Sequence, residues 1–236
     1  TSLWYGGKLP WGDAEHRVLM TYAYPNTNLA INTELVKSDE IKSYRDILNP
    51  KWKGKIIMND PTVAGTGIKS FSVLAFAILE LDFFRQLAKQ EPVIIRDQRI
   101  QVDWLAKGKY SILVFPRTAP MTEYKEAGAP VAFVATVEGT YLSVGGGNVS
   151  IVNKAAHPNA ARVFINWFLS REGQTLITKV DGLQSARLDV STEGIDPMKI
   201  RQQGVKYFIG ADSEEWLSRD PEYTKAAQEI FAQFLK

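Results

Sequence analysis

No cysteine occurs in the 236 residues. Disulfide frameworks, thiolate zinc sites and cysteine nucleophiles are therefore excluded together. Histidine is nearly as scarce, at two residues, and neither His16 nor His157 falls in a metal-binding spacing such as His-Glu-x-x-His. There is no Gly-x-Ser-x-Gly elbow and no paired acid and base at catalytic spacing. Charge of one sign is lacking too. With 28 basic and 26 acidic side chains the net charge is +2, too small to point to a nucleic-acid or membrane-surface partner. The longest apolar run, Phe71 to Leu79, is about half of a membrane span and reads as a core helix. No charged segment followed by an apolar one opens the chain at Thr1, so a signal peptide is expected to have been removed or to lie outside this sequence.

What is present is an apolar content of 45%, enough to bury a substantial core in one large domain or two lobes. Strands are expected at 17–23 and 29–32, followed by a short helix from a Ser43 cap. Strands at 55–58, 111–115 and 131–134 then alternate with helices at 66–82, 82–90, 99–107 and 118–127. Apolar strands alternating with helices predict a largely parallel sheet covered on both faces. From Glu138 the chain turns extended and glycine-rich, then helical, over 158–169, 171–179, 197–203 and 221–235. Extended crossings near 22–32 and 136–152 bracket one α/β unit, and the flanks suggest a second, incomplete one.

The stretch Asn59-Asp-Pro-Thr-Val-Ala-Gly-Thr-Gly67 joins a strand to a helix. It fails the spacing of a P-loop and of a dinucleotide fingerprint. A helix start near Gly65 still offers unpaired N–H groups and a positive dipole end, with Thr62 and Thr66 as hydroxyl donors. An ordinary glycine-containing turn is the plain alternative. A second strand-to-helix turn, Pro116-Arg117-Thr118, would open onto the same sheet edge, where ligands of parallel sheets bind. Arg117 would grip a carboxylate or phosphate there, or else form a surface ion pair. Tyr24 and Tyr141 lie at the two crossings, as pocket or packing residues.

Several segments together resemble the bacterial extracellular solute-binding proteins of ABC importers, the group that includes the iron(III)-binding ones. They are "SYRDILNPKWKGKIIMNDPTVAGTG", "LAINTELVK", "WLAKGKYSILVF" and "GGNVSIVNKAAHPNAARVFINWFLSREGQTLI". The resemblance implies an α/β fold of two lobes, the type II periplasmic-binding fold, joined by crossing strands and closing on a solute by hinge motion. On that basis 1–27 would be part of lobe 1 with the first crossing, and 28–138 a complete lobe 2. Residues 139–236 would be the second crossing with the helical remainder of lobe 1, whose N-terminal part has no match in this chain. The resemblance carries an anion-holding role onto Ala64, Gly65 and Thr66. Where the iron-binding members have an adjacent tyrosine pair, this chain has Thr118-Ala119 preceded by Arg117, a departure that disfavours a trivalent cation.

The expectation is therefore a binding protein rather than an enzyme, carrying a small anionic solute to an ABC permease from the periplasm or the cell exterior. A lipoprotein tether is allowed. The site residues expected are Thr62, Ala64, Gly65, Thr66, Arg99, Arg117, Thr118, Tyr24, Asn26 and Tyr141. No cofactor, metal or nucleic acid is expected, and the chain should be monomeric. An iron(III) or metal-chelate binder is the alternative on the same fold, and an enzyme or sensor domain the alternative of another class.

Overall fold

The computed structural model describes residues 2–37 and 39–235. Along the chain, β1 (Leu19–Met20) and β2 (Tyr24–Pro25) precede β3 (Leu29–Asn32) and β4 (Ile56–Asn59). Helices α1 (Thr66–Val73) and α2 (Leu81–Ala88) lead to β5 (Val93–Ile95), α3 (Gln98–Ala106), β6 (Ile112–Val114), α4 (Thr118–Glu126) and β7 (Val131–Val134). Short strands β8 (Leu142–Ser143) and β9 (Asn148–Val149) are followed by α5 (Pro158–Phe168), α6 (Arg171–Asp181), α7 (Glu214–Leu217) and α8 (Asp220–Phe231). No described helix is long and apolar enough to cross a membrane.

The chain divides into two compact units. The first comprises the residues up to Asn26 and Tyr141–Ser218; the second comprises Thr27–Thr140 and the residues from Arg219 on. The family resemblance groups 139–236 together, but α8 packs on α1 and α2 within the second unit. Its Phe231 meets Phe71 and Phe84 edge-on, with ring centroids 6.3 and 6.4 Å away. That aromatic contact, invisible to periodicity alone, decides where the last helix goes.

The second unit is built on a five-stranded sheet in the order β5-β4-β6-β3-β7. β5, β4 and β6 pair in parallel, and β3 runs antiparallel to both β6 and β7. Four strands thus run one way. Because side chains alternate along a strand, Ala30, Ile57, Leu113 and Val131 share one face and bury Val102, Leu105 and Met121 of α3 and α4. The opposite face carries an aromatic cluster in which Phe71, Phe84, Phe83 and Phe115 are essentially inaccessible.

Two helix expectations fail in instructive ways. The run 66–82 is not one helix: after Val73 the backbone widens into a π-helical turn over Leu74–Ile78, and Leu79 is extended. A π turn adds a residue per turn and so rotates the buried stripe, which lets Leu74, Ala75 and Leu79 all bury. The helix expected at 197–203 is a single 3-10 turn, Pro197–Lys199, capped by Asp196. Beyond it Arg201 is drawn off by the Ser185 carbonyl, which accepts from its guanidinium, and by Gln184, whose side chain accepts its N–H. Tertiary hydrogen bonds override a local preference there.

The first unit has only two-residue ladders, β1 with β9 and β2 with β8, both antiparallel. Its core gathers Trp4, Leu19 and Ala186. The three consecutive glycines make the β8–β9 turn. A Cβ on Gly147 would lie 2.5 Å from the Tyr22 ring and 2.8 Å from the Thr21 hydroxyl, so only glycine lets the chain pass.

Candidate functional site

Strand direction in the second unit brings the carboxyl ends of β4, β5, β6 and β7 to one sheet edge, beside the start of β3. The turn after β4 runs through Asp60 to Gly65, and α1 begins at Thr66. Ala64 and Gly65 are exposed and Thr66 is half-buried. The first-turn N–H groups of α1 have no carbonyl four residues back inside the helix and lie at the positive end of its dipole. Gly67 is fixed by contact. A Cβ there would fall 2.1 Å from the Asp60 carbonyl oxygen, so the turn and the helix start are pressed together.

On the neighbouring strand, Phe115 follows β6 with a left-handed φ of 60° and a fully buried ring. A bulky residue in that region is strained and is held by its surroundings. Its N–H donates to the Asn28 carbonyl at 2.9 Å, and its own carbonyl accepts from the Asn59 amide at 3.4 Å. After the reversal Pro116 stays buried and Arg117 is exposed, with Arg117 at the N-cap position of α4 and Thr118 as its first residue. Arg117 is exposed, and its guanidinium donates to the neutral Gln98 side chain at 3.1 Å. Since Met58 of β4 pairs with Val114 of β6, the starts of α1 and α4 leave adjacent strands.

Asp60 is the buried charge of this edge. Its carboxylate accepts from the Thr62 N–H at 2.8 Å, the Thr62 hydroxyl at 2.6 Å and Arg96 Nε at 2.8 Å. Burial pushes its pKa up, but the Thr62 and Arg96 hydrogen bonds outweigh that, and the net shift is downward. Asp60 is thus an internal counterion to Arg96 and ties the turn after β4 to the end of β5.

The structure sorts the expected residues. Ala64, Gly65, Thr66, Arg117 and Thr118 stand at the sheet edge. Thr62 is buried, with its hydroxyl committed to Asp60 and its carbonyl accepting from Gln228 at 3.3 Å, so it braces the turn from inside. Arg99 lies in the first turn of α3 and pairs with Glu123 at 3.0 Å, which directs it onto α4. The arginine at the carboxyl end of a strand is Arg96, which sequence reasoning missed because it missed β5. Three β-branched residues, Val93 to Ile95, between Pro92 and the Asp97 helix cap were the available signal. Tyr24, Asn26 and Tyr141 belong to the first unit. Tyr24 is buried beneath the Lys199 ammonium, 5.5 Å from the ring centroid, and Tyr141 is fully buried with a bridge to Phe208. Asn26 is half-buried and donates its N–H to the Tyr141 carbonyl at 2.9 Å. Both tyrosines have packing roles within their unit.

A model of the bacterial extracellular solute-binding protein family matches residues 4–199. The chain belongs to that family. A curated relative from Haemophilus influenzae, described as an uncharacterized protein, is 29% identical over 185 residues, 72% of this chain. The chain spans about half the length of that relative, 52%. Among solved structures, Trichodesmium IdiA (FutA) in complex with iron and citrate aligns with a TM-score of 0.75 at 15% identity, over 95% of this chain and 73% of that one. The periplasmic binding protein AfuA from Actinobacillus pleuropneumoniae, with fructose-6-phosphate bound, aligns at 0.63 and 24% identity, over 90% of this chain and 68% of that one. At such identities these likenesses establish the fold of a solute-binding family member, not its cargo.

Proposed function

We propose that this chain is the solute-binding part of an ABC importer, working in the periplasm or at the cell exterior, and that its cargo is a small anionic solute. One observation carries the reading: two helix starts, α1 at Thr66 and α4 at Thr118, leave adjacent parallel strands at one edge, with Arg117 between strand and helix. Oriented N–H groups and a guanidinium bound to a neutral partner favour an anion, and Arg adds bidentate geometry for carboxylate or phosphate. Asp60 does not oppose this, because Arg96 and Thr62 satisfy its charge from within. The role is binding and release, and an ABC permease is the partner that receives the solute. A metal-chelate cargo is the second reading, favoured by the iron-and-citrate-bound neighbour.

A thermal-shift panel tests both readings. It would contain phosphate, sulfate, organic phosphates, di- and tricarboxylates, amino acids, polyamines, and iron(III) with and without citrate. A ligand at a hundred times its dissociation constant adds about 2.7 kcal/mol, enough to move the midpoint by several degrees. The expected outcome is a shift with one class of anion that disappears in Arg117→Ala. A shift with iron(III) alone, unchanged by that substitution, would replace the anion reading with the metal one.

A further inference from the structure

The second unit holds a groove of about 630 Å³ at the end of the sheet away from the proposed anion site. Lys53 and Glu91 line it and stand just before β4 and β5, so it lies by the amino ends of those parallel strands. Its volume is in the range of small-molecule sites. Two helices form the walls. On α2, Leu81, Arg85 and Ala88, with Lys89 at the C-cap, recur at the three- and four-residue spacing of one helix face. On α8, Ala226, Glu229 and Ile230 do the same, and Phe234 continues the stripe in the 3-10 turn that follows. Each stripe covers eight residues or so, roughly 12 Å of helix. Ala88 and Ala226 leave the space that longer side chains at those places would take. One end is fixed: Glu91 takes a left-handed φ of 54° and pairs with Lys53 at 2.9 Å, and the Gly54 N–H donates to the Gln90 carbonyl at 2.8 Å.

The charges on the two walls are unequal. Lys53 and Glu91 satisfy each other. Among the described residues, no ion pair or side-chain hydrogen bond engages Arg85, Lys89 or Glu229. Arg85 and Lys89 stand one turn apart, where like charges repel, and an anion seated against both relieves that repulsion. Glu229 opposes an anion from the other wall, which places a negative head group on the α2 side. Two free cations against one free carboxylate leave the groove positive on balance. Beside them Leu81, Ile230 and Phe234 are half-buried and offer apolar surface. A pair of cations next to an apolar lining suits an anion that carries a hydrocarbon chain.

We infer that this groove is a second binding site, for an aliphatic carboxylate, with Arg85 and Lys89 receiving the carboxylate and Leu81, Ile230 and Phe234 the hydrocarbon chain. The site lies wholly within the second unit, at the opposite end of its sheet from Arg117, and does not depend on the anion reading.

The test uses three probes of one chain length and different charge, octanoate, 1-octanol and octylamine, each followed by ¹H–¹⁵N titration of the full chain. Octanoate should bind saturably, move the amides of Ala88, Lys89, Ile230 and Phe234, and bind about threefold more tightly than octanol, the size of exposed charge pairs. Octylamine should be the weakest of the three. Replacing both cations, Arg85→Gln with Lys89→Gln, should bring octanoate down to the affinity of octanol and leave octanol unchanged. Glu229→Gln should tighten octanoate by about threefold. Phe234→Ala should weaken octanoate and octanol alike. Arg117→Ala should change none of them, which separates this groove from the anion edge. Near-ultraviolet circular dichroism checks that each variant stays folded. If Phe234→Ala fails that check, the exposed charge variants carry the test. Absence of saturable octanoate binding, octanol or octylamine binding as tightly as octanoate, or weaker octanoate binding in Glu229→Gln would overturn the assignment.

Discussion

The two units hold themselves together by different means. In the second, a five-stranded sheet is sandwiched between apolar clusters, and Phe71, Phe84, Phe115 and Phe231 meet at centroid distances of 4.8 to 6.4 Å. In the first, two-residue ladders are stitched by long-range polar contacts, such as Gln174 receiving the Ser185 hydroxyl and Arg187 holding the Leu169 carbonyl. It also buries cations. Burial holds Lys199 down to about 8 and Arg201 down to about 10, well below their ordinary values. Its helix α5 buries no residue fully, and Val163 and Phe164 are 70% and 56% exposed. A core that buries apolar area is tolerant of pH and dependent on volume; a polar stitching is the reverse. One chain carries both regimes, so its variants should divide by unit.

The largest difference should come from one aromatic in each. Phe84→Ala empties a fully buried position and should cost about 3–5 kcal/mol in denaturant unfolding. Phe164→Ala, on the exposed face of α5, should stay within about 0.5 kcal/mol. Equal losses at the two positions would break the comparison.

Asp60→Asn comes next, at about 1–3 kcal/mol at neutral pH, because it weakens the Thr62 and Arg96 contacts in a buried turn. The folded-state pKa of Asp60 is depressed, so its contribution is complete above the unfolded value near 4 and fades as pH falls through the folded one. The gap between parent and variant should therefore narrow in acid. A gap that widened there would contradict the assignment of Asp60 as a satisfied carboxylate.

The smallest effect is a slope. Lys199 has its folded pKa lowered to about 8, so between that pH and its ordinary 10.5 the unfolded chain binds the extra proton. The contribution of this group to stability therefore rises with pH across that window and is flat below it. Lys199→Met should remove that rise, seen as a thermal midpoint less dependent on pH between 8 and 10.5 than the parent's.

Much of the second unit was legible in the sequence, and for a physical reason. Runs such as Ile56-Ile-Met58 and Ile112-Leu-Val114 are apolar on both faces because helices cover both faces of the sheet. Gly108 and Gly128, with φ of 71° and 81°, punctuate the ends of α3 and α4 as their positions in the sequence suggest. What was hidden depends on contacts between distant residues. The π turn after Val73, the placement of α8 and the pairing of Asp60 with Arg96 are decided by partners tens of residues away or more. At the candidate site, the helix starts at Gly65 and Arg117 follow from strand-turn-helix logic. The commitment of Thr62 to Asp60 and of Arg99 to Glu123 does not, because a hydroxyl or a guanidinium in a sequence carries no sign of which way it points.

The most direct test of the central claim is a ¹H–¹⁵N titration with whichever anion stabilises the protein. The amides of Gly65, Thr66, Gly67 and Thr118 should move together and saturably, and Arg117→Ala should remove the movement without changing the unliganded spectrum elsewhere. Shifts confined to other residues, with the starts of α1 and α4 unmoved, would contradict it.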